Sequence, residues 1–154
     1  MSLPRPQSGV ALIELAIAIF VMVSIAFGIT EFGRAIYQYN TLAKAARDAT
    51  RFLSTRGADD AAAKDIAKCL AVFGSPACTG SPLAPGLATT MVSICDRLTC
   101  PSTHEYQGAA APVLNLVTVT IGGPNAPYVF QSLVSFVVPN IVFGPISVTM
   151  KQVS

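Results

Sequence analysis

Charge is scarce in this chain. Asp, Glu, Lys and Arg make up 12% of its 154 residues, against about 25% in an ordinary soluble domain. The net charge of +2 is too small to gather a polyanion. No basic cluster is interleaved with stacking aromatics, which excludes nucleic acid as a partner. There is no HExxH pair, no phosphate-cradling glycine loop and no aspartate-rich cation loop. One histidine is present, His104. Beside Glu105 and the cysteines it forms the only conceivable catalytic cluster, and its place between Pro101 and Gly108 reads as a surface loop. The expectation is therefore no enzyme, with no catalytic residue, no metal and no cofactor. What the chain has in excess is apolar surface: 52% of residues, with a mean hydropathy of +0.57. At this length that fits one domain and one membrane segment.

The membrane segment has an unusual head. Gly9 is followed by Val10, Ala11, Leu12, Ile13 and then Glu14, and from Leu15 to Thr30 no residue is charged. A charge at a helix centre in hydrocarbon costs roughly 2.5–3.5 kcal/mol, and less near the end, so an intramembrane acid is a sign of function. The pattern reads as a prepilin: a leader over residues 1–9, cut after Gly9, and a new amino terminus on Val10 that Glu14 neutralises. Two prolines, Pro4 and Pro6, keep such a leader extended. Residues 10–33 reach about 36 Å as a helix, enough to cross a bilayer of roughly 30 Å. A conventional signal peptide, cut after Ser24-Ile25-Ala26, would release a secreted protein beginning at Phe27. That alternative leaves Glu14 unexplained.

The four cysteines, Cys69, Cys78, Cys95 and Cys100, all follow the span. An even number on one side of a membrane reads as two disulfides in an oxidising compartment. Three connectivities are possible. Cys69–Cys78 and Cys95–Cys100 are favoured because short loops close with least entropy. A four-cysteine zinc site is the rival, weakened by the lack of any CxxC pair. Orientation carries a conflict. Only Arg5 precedes the span, while Arg34, Lys44, Arg47 and Arg51 follow it, which by the positive-inside rule turns the C-terminal side to the cytoplasm. The cysteines demand the opposite. They take precedence, because Glu31 and Asp48 interrupt the downstream cations.

The helical pattern continues beyond the span, through residues 34–56. Phe32, Ile36, Tyr39, Leu42, Ala43, Ala46 and Leu53 recur at steps of three and four, the stripe of a packed helix. Lys44, Arg47 and Arg51 form a second, solvated stripe. Gly57 ends the helix. Residues 57–154 then read as a periplasmic α+β region. Asp59 or Asp60 caps a short helix running to Val72, and a Gly-, Pro- and Ser-rich loop follows from Gly74 to Gly86. Strands are expected at Met91–Cys95, Leu116–Ile121, Tyr128–Val138 and Ile146–Val153. The last three, in antiparallel hairpin order, form a sheet laid on the exposed half of the long helix. The fold class is α+β and pilin-like.

Three stretches carry a family resemblance: Gly9-Val10-Ala11-Leu12-Ile13-Glu14-Leu15, Ile29-Thr30-Glu31-Phe32-Gly33-Arg34-Ala35, and Asn40 through Ala45-Ala46-Arg47-Asp48-Ala49-Thr50-Arg51. They resemble TadE-like proteins, minor pilins or pseudopilins of the tight-adherence (Flp/Tad) type IV pilus apparatus. The resemblance implies a prepilin peptidase cutting between Gly9 and Val10, with this chain as its substrate. It implies Glu14 as the residue of subunit assembly. It implies an inner-membrane protein with a cytoplasmic N-terminus and a periplasmic C-terminal domain. Its partners are other pilin subunits and the Tad assembly platform, in the service of adhesion or biofilm formation. The alternative is an anchored or secreted periplasmic binding protein never built into a filament.

Overall fold

The computed structural model describes residues 8–106 and 114–153. The expected leader therefore lies, over residues 1–7, outside the described residues. One helix dominates: α1, Ser8–Ser54, 47 residues and about 70 Å long. No proline interrupts it. Its two halves live in different surroundings. Over residues 9–30 of α1 none is buried; after Glu31, Ala35, Leu42, Ala45, Ala46, Ala49 and Leu53 are. The expected stripe is corrected at its membrane-proximal end. Phe32 and Ile36 are exposed, at 57% and 60%, and Tyr39 at 47%. The buried face is rich in alanine, with Leu42 and Leu53 among it, and the alanines let a sheet and a second helix approach the α1 backbone closely.

That second helix, α2, runs Ala61–Phe73. Asp60 caps it, its Oδ1 accepting from the Ala63 N–H at 2.9 Å. Gly74 ends it in the left-handed conformation, φ +67°, its N–H bonding Leu70 O. The stripe Ala63, Ala67, Cys69, Ala71 and Val72 is buried, and most of it joins the α1 alanines in one core.

The sheet closes that core from the other side. Its strands are β1 (Val92–Cys95), β2 (Glu105–Tyr106), β3 (Leu114–Ile121) and, at the chain's end, Ile146–Gln152. A one-turn helix, α3 (Pro101–His104), separates β1 from β2. Central β3 pairs on one edge with the terminal strand from Asn115↔Gln152 to Ile121↔Ile146. On the other edge it pairs with β1 and then β2 in tandem. The alternation expected of β3 is realised. Val117, Val119 and Ile121 are at most 1% exposed. Thr118 and Thr120 face outward and hydrogen-bond Thr149 and Ser147 of the paired strand at 2.7 and 2.8 Å. Such cross-strand pairs fix the register.

The long strand expected over Tyr128–Val138 does not form. Only β4, Val129–Phe130, is extended; it pairs with β5, Ile141–Val142, as a separate two-stranded ladder. The terminal strand is thus β6. It pairs directly with β3, so the expected hairpin order is also corrected. The reason lies in Ser132 and Asn140. Ser132 Oγ accepts from the Val134 N–H, and Asn140 Oδ1 accepts from the Ser132 N–H at 3.0 Å. These side chains satisfy backbone groups that a strand would have to pair, and they favour a turn.

Two features seat this excursion on α1. At Gly122, φ is +73°, and a Cβ would stand 3.0 Å from the Tyr128 backbone nitrogen. The chain can double back there only without a side chain. Tyr128, 2% exposed, then reaches the helix. Its hydroxyl lies 2.9 Å from both Gln38 Oε1 and Pro85 O, sharing its proton between them. Burial pushes the Tyr128 phenol above its ordinary pKa. Tyr128→Phe is expected to cost about 1–2 kcal/mol, because two acceptors lose their donor. The readout is a lowered urea midpoint at constant slope; an unchanged midpoint would mean that these bonds contribute nothing.

Candidate functional site

Gly9 and Val10 lie in the first turn of α1. A Cβ at Gly9 would touch nothing within 4 Å, so the fold itself does not require glycine there. The first four N–H groups of a helix lack intrahelical partners, so this turn opens at little cost to an extended conformation. Glu14 follows Val10 by one turn, which brings their side chains to about 5–6 Å on one face. Glu14 is exposed, amid Val10, Leu12, Ile13 and Leu15, which are 56–68% exposed. Among the described residues no salt-bridge partner approaches it.

The apolar run behind Glu14 holds no buried residue up to Thr30. Phe20, Met22 and Ile29 are 69–70% exposed. The helix is long and apolar enough to cross a membrane, with a mean hydropathy of 2.7 over its most apolar stretch. The hydroxyls within the run turn back on the helix: Ser24 donates to Phe20 O and Thr30 to Ala26 O, both at 2.9 Å. Neither is left bare toward an apolar solvent.

Residues 9–51 match the family model for TadE-like protein. That stretch is TadE-like. No curated protein and no solved structure matches the chain. The TadE-like stretch covers the bare half of α1 and most of its packed half. It ends three residues before the helix does. The disulfides and the sheet lie beyond it. The TadE-like family is associated with the Tad pilus apparatus, and the bare apolar half of α1 points to anchoring in a membrane.

The far end of the bare half holds a residue whose placement the sequence reading missed. In the sequence Glu31 stands out only as an acid that interrupts the downstream cations. It is 3% exposed. Arg34 Nη1 donates to both its carboxylate oxygens, at 2.8 and 2.9 Å, and the Leu133 N–H donates to Oε2 at 3.3 Å. The i, i+3 spacing of Glu31 and Arg34 was the available signal; the partner 102 residues away left none.

The cysteines are joined as Cys69–Cys78 and Cys95–Cys100. A bonded sulfur offers no thiolate, so these residues form neither a zinc tetrathiolate nor a nucleophile. His104 is corrected from loop to the last residue of α3, half-buried. Its Nε2 lies 2.7 Å from Thr118 Oγ1, and its Nδ1 2.7 Å from Thr103 Oγ1 and 3.6 Å from Cys95 Sγ. Both ring nitrogens are thereby engaged by hydroxyls.

The Cys95–Cys100 bridge closes a tight turn around a buried acid. Asp96, 1% exposed, accepts through Oδ1 from the N–H groups of Leu98 and Thr99 and from the Thr99 hydroxyl. Its Oδ2 meets Lys64 Nζ of α2 at 2.6 Å. Burial raises the Asp96 pKa, but Lys64 and Thr99 together outweigh it and hold the carboxyl below its ordinary value. The cation stripe Lys44, Arg47 and Arg51 is exposed, as a solvated face should be. Lys44 and Asp48 line an open groove of about 500 Å³ between α1, α2 and Leu83.

Proposed function

We propose that this chain is a membrane-anchored minor pilin, or pseudopilin, that takes part in assembling a Tad-type pilus. A prepilin peptidase removes the leader at the Gly9–Val10 bond. The new Val10 amine is cationic at neutral pH. Glu14, one turn along, pairs with that amine or with a neighbouring subunit's, and in the apolar surroundings of a filament this pairing sets subunits in register. The chain itself is a substrate and a building part, not a catalyst. The domain after the span lies in the periplasm, where its disulfides form.

The observation that supports this reading best is the position of Glu14. It stands one turn after a glycine-bounded junction, at the head of a bare apolar helix that runs unbroken into the packed domain. A simple anchor needs no acid there. A pilin needs the acid, the bare helix and the rigid continuation together.

The test is the intact mass and amino-terminal peptide of the protein from membranes, with and without its peptidase. A peptidase-dependent start at Val10 is expected. A start at Phe27 would indicate a secreted domain. An uncut amino terminus despite active peptidase would indicate a plain anchor, such as that of a periplasmic binding protein. Either of these two results overturns the proposal.

A further inference from the structure

The excursion between β4 and β5 runs down α1 toward the span. Its contacts step along the helix one turn at a time. Phe130 lies under the Arg34 guanidinium, 5.4 Å from ring centroid to carbon. The Leu133 N–H bonds Glu31. Val137 Cγ1 reaches within 3.7 Å of where a Gly28 Cβ would stand. Residues 133–138 are therefore the part of the domain that descends alongside the bare helix. Gly28 is about 27 Å along the axis from Val10, close to the thickness of a bilayer's hydrocarbon core of roughly 30 Å.

What this loop presents is unusual for a soluble surface. Val134 and Val137 are half-buried and Val138 is buried, but Leu133 and Phe136 point away, 77% and 79% exposed. From Tyr106 to Met150 no residue carries a formal charge. On α1, Phe27, Ile29 and Phe32 flank in sequence the Gly28 and Glu31 that the loop touches, and they are exposed as well. Apolar side chains gathered at one level, on a loop that itself carries no charge, mark a contact surface. A lipid interface fits this one, because the surface is continuous with the membrane-length apolar helix. Glu31 takes the one loop N–H offered to it and is itself neutralised by Arg34, so the loop is held at that level without an unpaired charge.

We propose that the loop at 131–138 is a second membrane-contact element. Leu133 and Phe136 enter the bilayer interface where α1 leaves the membrane, and so set the domain's height and rotation against the lipid. This rests on the reading of residues 10–33 as a span, but not on leader cleavage or filament assembly.

The chain contains no tryptophan, so each Phe→Trp variant carries a single probe. The full chain is reconstituted in phosphatidylethanolamine–phosphatidylglycerol vesicles bearing a nitroxide high on the acyl chain. Three variants are compared: Phe136→Trp, Phe20→Trp within the span, and Val153→Trp just past the end of β6. Lipid-borne quenching is expected at positions 20 and 136, with blue-shifted emission, and aqueous iodide is expected to quench only at 153. Lipid quenching at 20 but not at 136, with iodide reaching 136, overturns the loop's role and leaves the span intact. Blue-shifted emission at 136 without lipid quenching means a contact between copies of the chain, and also overturns it. No lipid quenching at 20 overturns the span and the loop's placement with it.

Discussion

Chains carrying Glu14→Ala or Glu14→Gln are expected to reach the membrane in normal amount and to fall in assembled filaments by about tenfold or more, the loss that follows when one charge-assisted hydrogen bond is removed. The physical basis is an asymmetry between inserting and assembling. For insertion an acid in the apolar run is a cost, so removing it leaves insertion unchanged or slightly improved. For assembly the Val10 amine must be desolvated among neighbouring helices. Without a carboxylate one turn away it becomes an uncompensated charge. Alanine and glutamine should behave alike, because it is the charge that matters; aspartate, with a shorter reach, should recover part of the effect. The measurement is the ratio of protein in sheared filaments to protein in membranes, with the amino terminus of each variant sequenced. Equal incorporation of all variants would remove the pairing role of Glu14. Loss of incorporation together with loss of cleavage would trace the effect to the peptidase instead.

The second large effect is expected in the domain. Lys64→Met should destabilise it by about 3–5 kcal/mol, the usual consequence of leaving one member of a buried ion pair alone. Asp96 is 1% exposed, and Lys64, at 22%, is its only salt-bridge partner among the described residues. Asp96→Asn should cost less, about 1–2 kcal/mol. Asparagine retains an acceptor for the Leu98 and Thr99 donors, and a partly exposed Lys64 can turn to water. The pH dependence separates the two variants. In the native chain the Asp96 pKa is depressed. Its contribution is therefore complete above the ordinary carboxylate value of about 3.9 and is lost as pH falls through the lower folded value. In Asp96→Asn this acid-sensitive contribution disappears. In Lys64→Met burial acts without the lysine, protonation relieves the stranded charge, and the stability gap from the native chain narrows as pH falls. Urea unfolding from pH 7 down to about pH 2, across the carboxylate range, with disulfides intact, checks this. A Lys64→Met penalty that is small or independent of pH would show that the pair is ornamental.

The same residues show where the sequence was legible. α1 was readable because its signals are local: no proline, apolar steps of three and four, and a glycine after its end. α2 was readable through Asp60, its alanines and Gly74, and β3 through strict alternation, because one of its faces is buried. The strand expected at Tyr128–Val138 was misread for a physical reason. An apolar run looks alike whether it pairs as a strand or presents its side chains to something outside the domain, and periodicity alone does not separate the two. Ser132 and Asn140 held the information, but as turn-making hydrogen bonds spaced eight residues apart. Lys64–Asp96, Glu31–Leu133 and Tyr128–Gln38 span long separations in sequence and left no periodic trace.

By itself the sequence determined the elements governed by near neighbours: a membrane-length helix with an acid one turn after Val10, its continuation beyond the apolar run, and four cysteines that all follow that run. The cysteine pairing is also short-range, and closing two short loops costs the least entropy. Only the tertiary structure decided which face of α1 is buried, that β6 lies beside β3, and that the 131–138 loop returns to Glu31 at the foot of the domain. Those outcomes depend on which surfaces fit together after the helices and strands exist. Packing of small residues and satisfaction of buried polar groups select among arrangements that local pattern leaves equivalent.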